Sequence, residues 1–250
     1  LHSYVFIPAR LASTRLPRKL LLRETGMTVL QHTYEAALRA GRPGGVCVAA
    51  EDEEIAREVR QFGGEVVVTG ADFASGTDRI ASVAAADRFA EVEIVVNLQG
   101  DEPEISGQAI DHVIELLEHD RTAVMSTLAT PIRSREQLND PACVKVVFDG
   151  HGRALYFSRA AIPHVRQWDD SVLNENPPRF FQHVGLYAYR REFLLQLARL
   201  PQTAAERLEC LEQLRVLESG YQIVVGVIDE PTRGIDTEED YLAFVARQKA

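Results

Sequence analysis

The stretch Gly45–Gly70, GVCVAAEDEEIAREVRQFGGEVVVTG, decides the fold. GVCVAA is a short apolar run that reads as a strand. EDEEIAREVRQFGG follows as a helix. Its acids gather at the N-terminal end, where the helix dipole favours them, and Gly63-Gly64 closes it. EVVVTG is a second apolar strand. Apolar strands separated by helices imply a parallel sheet covered on both faces.

The same alternation extends outward. Upstream, YVFIPA is a strand, and TVLQHTYEAALRAG carries Val29, Leu30, Tyr34, Ala37 and Leu38 at helical spacing before Gly41. Downstream, SGTDRIASVAAADRFA reads as a helix, EIVVNLQGDEP as a strand with a polar end, and GQAIDHVIELLEHD as another helix. Ligands in such sheets sit outside the carboxyl ends of the strands. The loops after Ile7, Ala49, Val68 and Asn97 are therefore expected to line a site.

The second half changes character. AVMSTLAT, CVKVVFDGHGRALYFSR and HVGLYAYR are rich in β-formers, and FDGHGRALYF contains a D-G turn between alternating runs, the mark of a hairpin. We read a single domain over 1–250, with a smaller antiparallel, β-rich insertion at roughly 123–200. AAERLECLEQLRVLESG reads as one helix, YQIVVGVI as a strand, and a last helix starts near Asp236. The polar region Pro163–Pro178, with Trp168, is either a flap or a surface excursion.

The chain has 250 residues, 46% of them hydrophobic and 26% charged, the composition of a globular protein with a substantial core. Its formal charge of −10 disfavours general binding to nucleic acid or anionic membrane. Cys47, Cys143 and Cys210 lie far apart with no zinc-type spacing, which reads as reduced cysteines of a cytosolic protein. The first apolar run is short and meets Pro8 and Arg10, so no signal peptide is expected. No apolar run approaches the ~20 residues of a membrane span.

Against this acidic background, IPARLASTRLPRK (Ile7–Lys19) gathers Arg10, Arg15, Arg18 and Lys19 with no carboxylate among them. Cations with backbone N–H groups hold phosphates, and Ser13 and Thr14 add hydroxyl donors. A solvated basic turn is the alternative. The Walker pattern and the G-x-G-x-x-G fingerprint are both missing, which excludes a P-loop and disfavours a dinucleotide-binding unit.

In NLQGDEP, Asp101 at the polar end of a strand suits a hard cation such as Mg²⁺, or is an ordinary turn residue. Asp236 in RGIDTEEDY is a second such carboxylate, or the N-cap of the last helix with Glu239 at its third position. In SGTDR, Gly76 permits close backbone approach and Arg79 supplies a cation, while Ser75 or Thr77 caps a helix. Arg159, His183, Tyr187, Glu212 and Gln213 are polar or aromatic groups on scattered elements, individually unremarkable.

Taken in order, IPAR-x-x-STRLP-x-K, SGTDR, VNLQGDEP, KVV-x-D-x-x-G-x-ALYFSRA-x-IP, H-x-GLYAYR, LEQLR and GIDTEED resemble the 3-deoxy-manno-octulosonate cytidylyltransferase family, the CMP-Kdo synthetases of lipopolysaccharide biosynthesis. The resemblance spans nearly the whole chain. It implies an α/β fold, Rossmann-like and of the nucleotide-diphospho-sugar transferase type. It also implies a cytoplasmic homodimer, with the β-rich insertion serving sugar binding and dimer contacts. The substrates would be CTP and Kdo, the products CMP-Kdo and pyrophosphate, and the cofactor Mg²⁺.

Residue by residue, the resemblance assigns Arg10, Ser13, Arg15, Lys19, Ser75 and Gly76 to CTP. Asp101 and Asp236 go to Mg²⁺, and these two with Lys19 to catalysis. Arg79, Gln99, Arg159, His183, Tyr187, Glu212 and Gln213 would surround the sugar acid. Two departures stand out. Arg18 occupies a position that is glycine in the family, so it either sits at a backbone cost or adds a phosphate contact. Ala50-Glu51 stands where the family reads Thr-Asp, which bears on base recognition. The rivals are a cytidylyltransferase for another acidic sugar, such as a sialic acid or an amino-Kdo, and a catalytically silent nucleotide-binding module.

Overall fold

The computed structural model describes residues 1–13, 15–73, 75–229 and 232–249. Its first half is the alternation read from the sequence: β1 (Ser3–Ala9), α1 (Val29–Ala37), β2 (Val46–Ala50), α2 (Glu53–Gln61), β3 (Glu65–Val68), α3 (Gly76–Ala84), β4 (Ile94–Asn97) and α4 (Gly107–His119). The second half holds β5 (Met125–Pro131), α5 (Arg135–Asn139), β6 (Lys145–Phe148), β7 (Ala154–Ser158), β8 (Phe181–Arg190), α6 (Arg191–Leu197), α7 (Ala204–Glu209), α8 (Gln213–Glu218), β9 (Ile223–Val227) and α9 (Glu238–Gln248).

The central sheet runs β3-β2-β1-β4-β8-β5-β9. Neighbours are parallel except where β8 pairs antiparallel with β4 and β5. The β6–β7 hairpin leaves this path, touching β8 through Lys145 opposite Gln182. The antiparallel character of the second half therefore enters the main sheet itself, through β8.

Side chains alternate across each strand, so one sheet feeds two cores. Val5 and Ile7 of β1, with Val46 and Val48 of β2, pack beneath Leu30, Ile55 and Ile110 of α1, α2 and α4. Phe6, Cys47 and Val95 face the other way, onto Ile80 of α3 and Phe193 and Leu194 of α6. Helices thus cover both faces, as expected for buried parallel strands.

One local expectation is corrected, and two open capping alternatives are decided. The stretch AAERLECLEQLRVLESG is not one helix: Cys210 lies at φ 52° and separates α7 from α8. A left-handed residue cannot continue a right-handed helix, and here it turns the chain so that Glu212 points inward. The last helix is capped by Thr237 with Asp240 at its third position, one residue later than the Asp236–Glu239 reading. Asp236 is thereby free of capping duty. At the start of α3 it is Ser75, and not Thr77, that caps, accepting from Asp78 N.

Candidate active site

Two cavities open at the carboxyl ends of the strands and share one wall. The first, about 480 Å³, is lined by Arg10, Ser13, Arg15, Lys19, Phe73, Ser75, Gly76, Arg79, Gln99, Asp101 and Asp236. The second, about 520 Å³, is lined by Glu102, Gln182, His183, Tyr187, Cys210, Glu212, Gln213, Asp236 and others. Asp236 belongs to both.

The loop after β1 builds one side of the first cavity, ending in a short 3-10 turn over Lys19–Leu21 that buries Leu20. Leu20 packs under Gly100, where a side-chain carbon would come within 3.3 Å of Leu20 and of Pro8 O. On the opposite side the N-terminus of α3 abuts β1, and a carbon on Gly76 would meet Pro8 at 3.2 Å. These two close approaches bring the basic loop, the α3 N-terminus and the NLQGDEP turn around one space.

At its floor, Lys19 Nζ donates to Asp101 Oδ2, to Asp236 Oδ1 at 3.1 Å and to Ile235 O at 3.0 Å. Arg15 Nη2 reaches the same Asp236 oxygen at 2.9 Å. Two carboxylates 135 positions apart in sequence therefore converge on one point of positive charge. That donor set fits a divalent cation with a preference for carboxylate oxygens and substrate phosphate. No cluster of three or more His, Cys, Asp or Glu side chains suited to a metal occurs among the described residues.

Arg79, only 4% exposed, is fixed by Thr69 Oγ1 and Gly70 O, each at 2.6 Å, and lies 5.4 Å from the centre of the Phe73 ring. Its Nη2 is 3.8 Å from Glu51 Oε1. The Ala50-Glu51 departure therefore sits beside Arg79, at the rim of the first cavity. Gln99 donates to Asn97 Oδ1 at 3.3 Å. Both Arg79 and Gln99 line the first cavity, not the second where His183, Tyr187, Glu212 and Gln213 gather.

Arg159 lines neither of these two cavities. Its guanidinium donates to Glu209 O at 2.8 Å and to Pro141 O at 3.1 Å, beside the second cavity's rim. Arg18 also turns away: its backbone is left-handed, at φ 56°, and its side chain pairs with Glu54 of α2. Of the two alternatives for Arg18, the structure carries the backbone cost and not the added contact in the first cavity. Thr14 lies outside the described residues.

In the second cavity, His183 Nε2 lies 2.9 Å from Thr127 Oγ1, and burial pushes the ring down to about 3, so it is neutral at physiological pH. Burial pushes the Tyr187 hydroxyl far up. Gln213 is 4% exposed, and its Nε2 has no hydrogen-bond partner among the described residues. A buried donor left unpaired is costly unless a ligand or water meets it.

The sequence reading did not single out Glu102 or Phe73. Burial, then the Asp101 carboxylate, push Glu102 up to about 7. The signal for it was the second acid of NLQGDEP, which looks like an ordinary turn residue. Phe73 carries no local signal at all.

Residues 4–223 match the profile of a family described as "Cytidylyltransferase". The chain is 50% identical to a 3-deoxy-manno-octulosonate cytidylyltransferase of Rhodopirellula baltica, covering 97% of each chain. It is 48% identical to the enzyme of the same name from Syntrophotalea carbinolica, covering 96% of each. Among solved structures, one titled as CMP:2-keto-3-deoxy-manno-octonic acid synthetase complexed with CTP superposes with a TM-score of 0.90 at 36% identity, covering 100% of this chain and 99% of that one. A 4-diphosphocytidyl-2C-methyl-D-erythritol synthase from Anaerococcus prevotii, 12% identical at TM-score 0.62 and covering 100% of this chain and 99% of that one, shares the fold alone. The α/β architecture, the ordered motifs and these likenesses agree: this chain belongs to the cytidylyltransferase family.

Proposed function

We infer that the protein transfers the cytidylyl group of CTP to Kdo, giving CMP-Kdo and pyrophosphate. The observation that carries the reading is the convergence of Lys19, Asp101 and Asp236 at the floor of the first cavity, where Asp236 also lines the second. One cavity, basic and bounded by a helix N-terminus, suits a triphosphate. The other, walled by His183, Tyr187 and Gln213, suits a polyhydroxylated acid.

The anomeric 2-hydroxyl oxygen of Kdo bonds to the α-phosphorus of CTP, the bond from that phosphorus to the β-phosphate oxygen breaks, and pyrophosphate leaves with the electron pair. The hydroxyl proton is lost to solvent. Asp101 and Asp236 would hold Mg²⁺, which when bound polarises the phosphoryl group and lowers the pKa of a coordinated hydroxyl. Arg10, Arg15 and Lys19 would neutralise charge growing on the leaving group. Ser13, Ser75 and Gly76 would meet the nucleotide, with Arg79 and Gln99 on its side of the shared wall.

Neutral His183, Tyr187 and Gln213 would orient the sugar acid, which places the attacking oxygen. Glu212 shares their cavity, and Arg159 borders it. Arg159 would reach the sugar only by exchanging its contacts to Glu209 and Pro141.

The reading extends to a cytoplasmic homodimer serving lipopolysaccharide biosynthesis. No helix among the described residues is long and apolar enough to cross a membrane. Leu155, 62% exposed, and Tyr156, 38% exposed, on the β6–β7 hairpin support a partner surface there. Sedimentation measures the assembly. Pyrophosphate release with CTP and a panel of sugar acids tests the reaction: release with Kdo and Mg²⁺ supports it, and release with another acid alone moves the substrate.

A further inference from the structure

The Glu212 carboxylate links Ser75 of the first cavity to the lining of the second. Its Oε2 accepts from Thr77 Oγ1 at 2.5 Å, and its Oε1 accepts from Ser75 Oγ at 3.2 Å. Ser75 caps α3 and lines the first cavity, whereas Glu212 and its neighbour Gln213 line the second. The partners are 137 and 135 positions apart, so the bond is a tertiary one between α3 and the start of α8. Arg215 stands 3.7 Å from Glu212 Oε1 but is held by Glu206, at 2.8 and 2.5 Å.

Both carboxylate oxygens of Glu212 thus accept a bond from the start of α3, and each keeps a further acceptor site while Glu212 lines the second cavity. Ser75 has one hydroxyl hydrogen and two carboxylate acceptors within reach, Asp78 Oδ2 at 3.0 Å and Glu212 Oε1. A nucleotide oxygen arriving at the α3 N-terminus is a third acceptor for that hydrogen. Ser75 thus ties a candidate nucleotide contact to Glu212, and the next residue is Gln213, whose Nε2 is buried without a partner among the described residues.

We propose that Glu212, held by Ser75 and Thr77, couples the two substrate cavities, so that nucleotide binding sets the geometry of the sugar-acid wall. The proposal rests on the functional reading above. Coupling of this kind is reciprocal: each ligand changes the affinity of the other by the same factor.

The test is calorimetric titration of Kdo into the full chain, with and without an unreactive CTP analogue carrying an α,β-methylene bridge. In the wild-type protein the analogue is expected to tighten Kdo binding by about fivefold or more. In Glu212→Gln that ratio falls toward one while the analogue itself still binds. Thr77→Val gives the same loss with the Glu212 charge intact, and Thr77→Ser, which keeps the hydroxyl, restores the ratio; a merely structural brace would weaken Kdo binding equally with and without the analogue and leave the ratio unchanged. An unchanged ratio in Glu212→Gln and Thr77→Val, or a wild-type ratio of one, overturns the coupling and leaves the functional reading standing. Failure of Kdo to bind the wild-type protein in either condition removes the functional reading, and the coupling with it.

Discussion

Lys19 and Asp101, 82 positions apart, form an ion pair at the floor of the first cavity, with side chains 15% and 24% exposed. Asp236 joins from the loop before α9. In water such a pair contributes little, but partial burial and two carboxylate partners raise its weight. The lysine here neutralises two acids and faces the space assigned to the triphosphate. Lys19→Ala is expected to weaken CTP binding about tenfold or more, equivalent to ~1.4 kcal/mol. CTP titration checks this, and unchanged affinity removes Lys19 from phosphate binding.

Asp101→Asn keeps the shape of the side chain and removes its charge. The expected result is a normally folded protein whose kcat falls about 10²–10³-fold, with CTP affinity nearly kept. Chelation of Mg²⁺ should abolish turnover of the wild-type enzyme. Near-normal turnover of the variant with Mg²⁺ present would take Asp101 out of the metal site.

Arg18 offers a test of backbone physics. At φ 56° an L-residue carries a strain of about 1 kcal/mol. Arg18→Gly and Arg18→Ala both lose the exposed pair with Glu54, but only glycine relieves the backbone. The glycine variant should therefore be the more stable, reversing the usual order for ordinary positions. Urea unfolding decides, and alanine above glycine would mean that the left-handed turn is not kept in solution.

His183 has a pH signature. The unfolded ring titrates near 6.5, the folded one at about 3 because burial disfavours its charge. Between those values the unfolded chain takes up a proton that the folded chain refuses, so the contribution is complete above pH 6.5 and is lost as pH falls toward 3. The slope is at most about 1.4 kcal/mol per pH unit. Denaturation midpoints from pH 7 to 4, without ligand, should fall less steeply for His183→Gln than for the wild type. Parallel profiles would show that the ring takes up its proton in the folded state.

Of the three cysteines, Cys47 and Cys143 are buried and Cys210 is exposed. Burial pushes the Cys47 thiol up to about 11 and raises that of Cys143. An aromatic disulfide reagent should therefore label one thiol quickly in the native protein, and none quickly in Cys210→Ser. Because Cys210 lines the second cavity, saturating Kdo should slow the labelling. Rapid labelling of a second thiol would contradict the packing of β2 or of the region around Cys143.

The alternation of strand and helix in Tyr4–Asp120 was legible because each element carries its own period and its own caps, and these act locally. The basic loop, the acid at the end of β4 and the D-G hairpin were legible for the same reason. The ordered motifs also named the family.

Tertiary structure alone decided the rest. Asp236 looked like a helix cap until Thr237 took that role, leaving its carboxylate for Lys19 and Arg15. Lys145, in a run read simply as a strand, is fully buried with its ammonium held by the carbonyls of Asp140, Cys143 and Arg159. Arg79 and Gln99 went to one cavity and Glu212 to the other, through bonds to residues more than a hundred positions away in the case of Glu212. Period and capping depend on neighbours in the chain, whereas the partner of a charge depends on what the fold carries across from elsewhere.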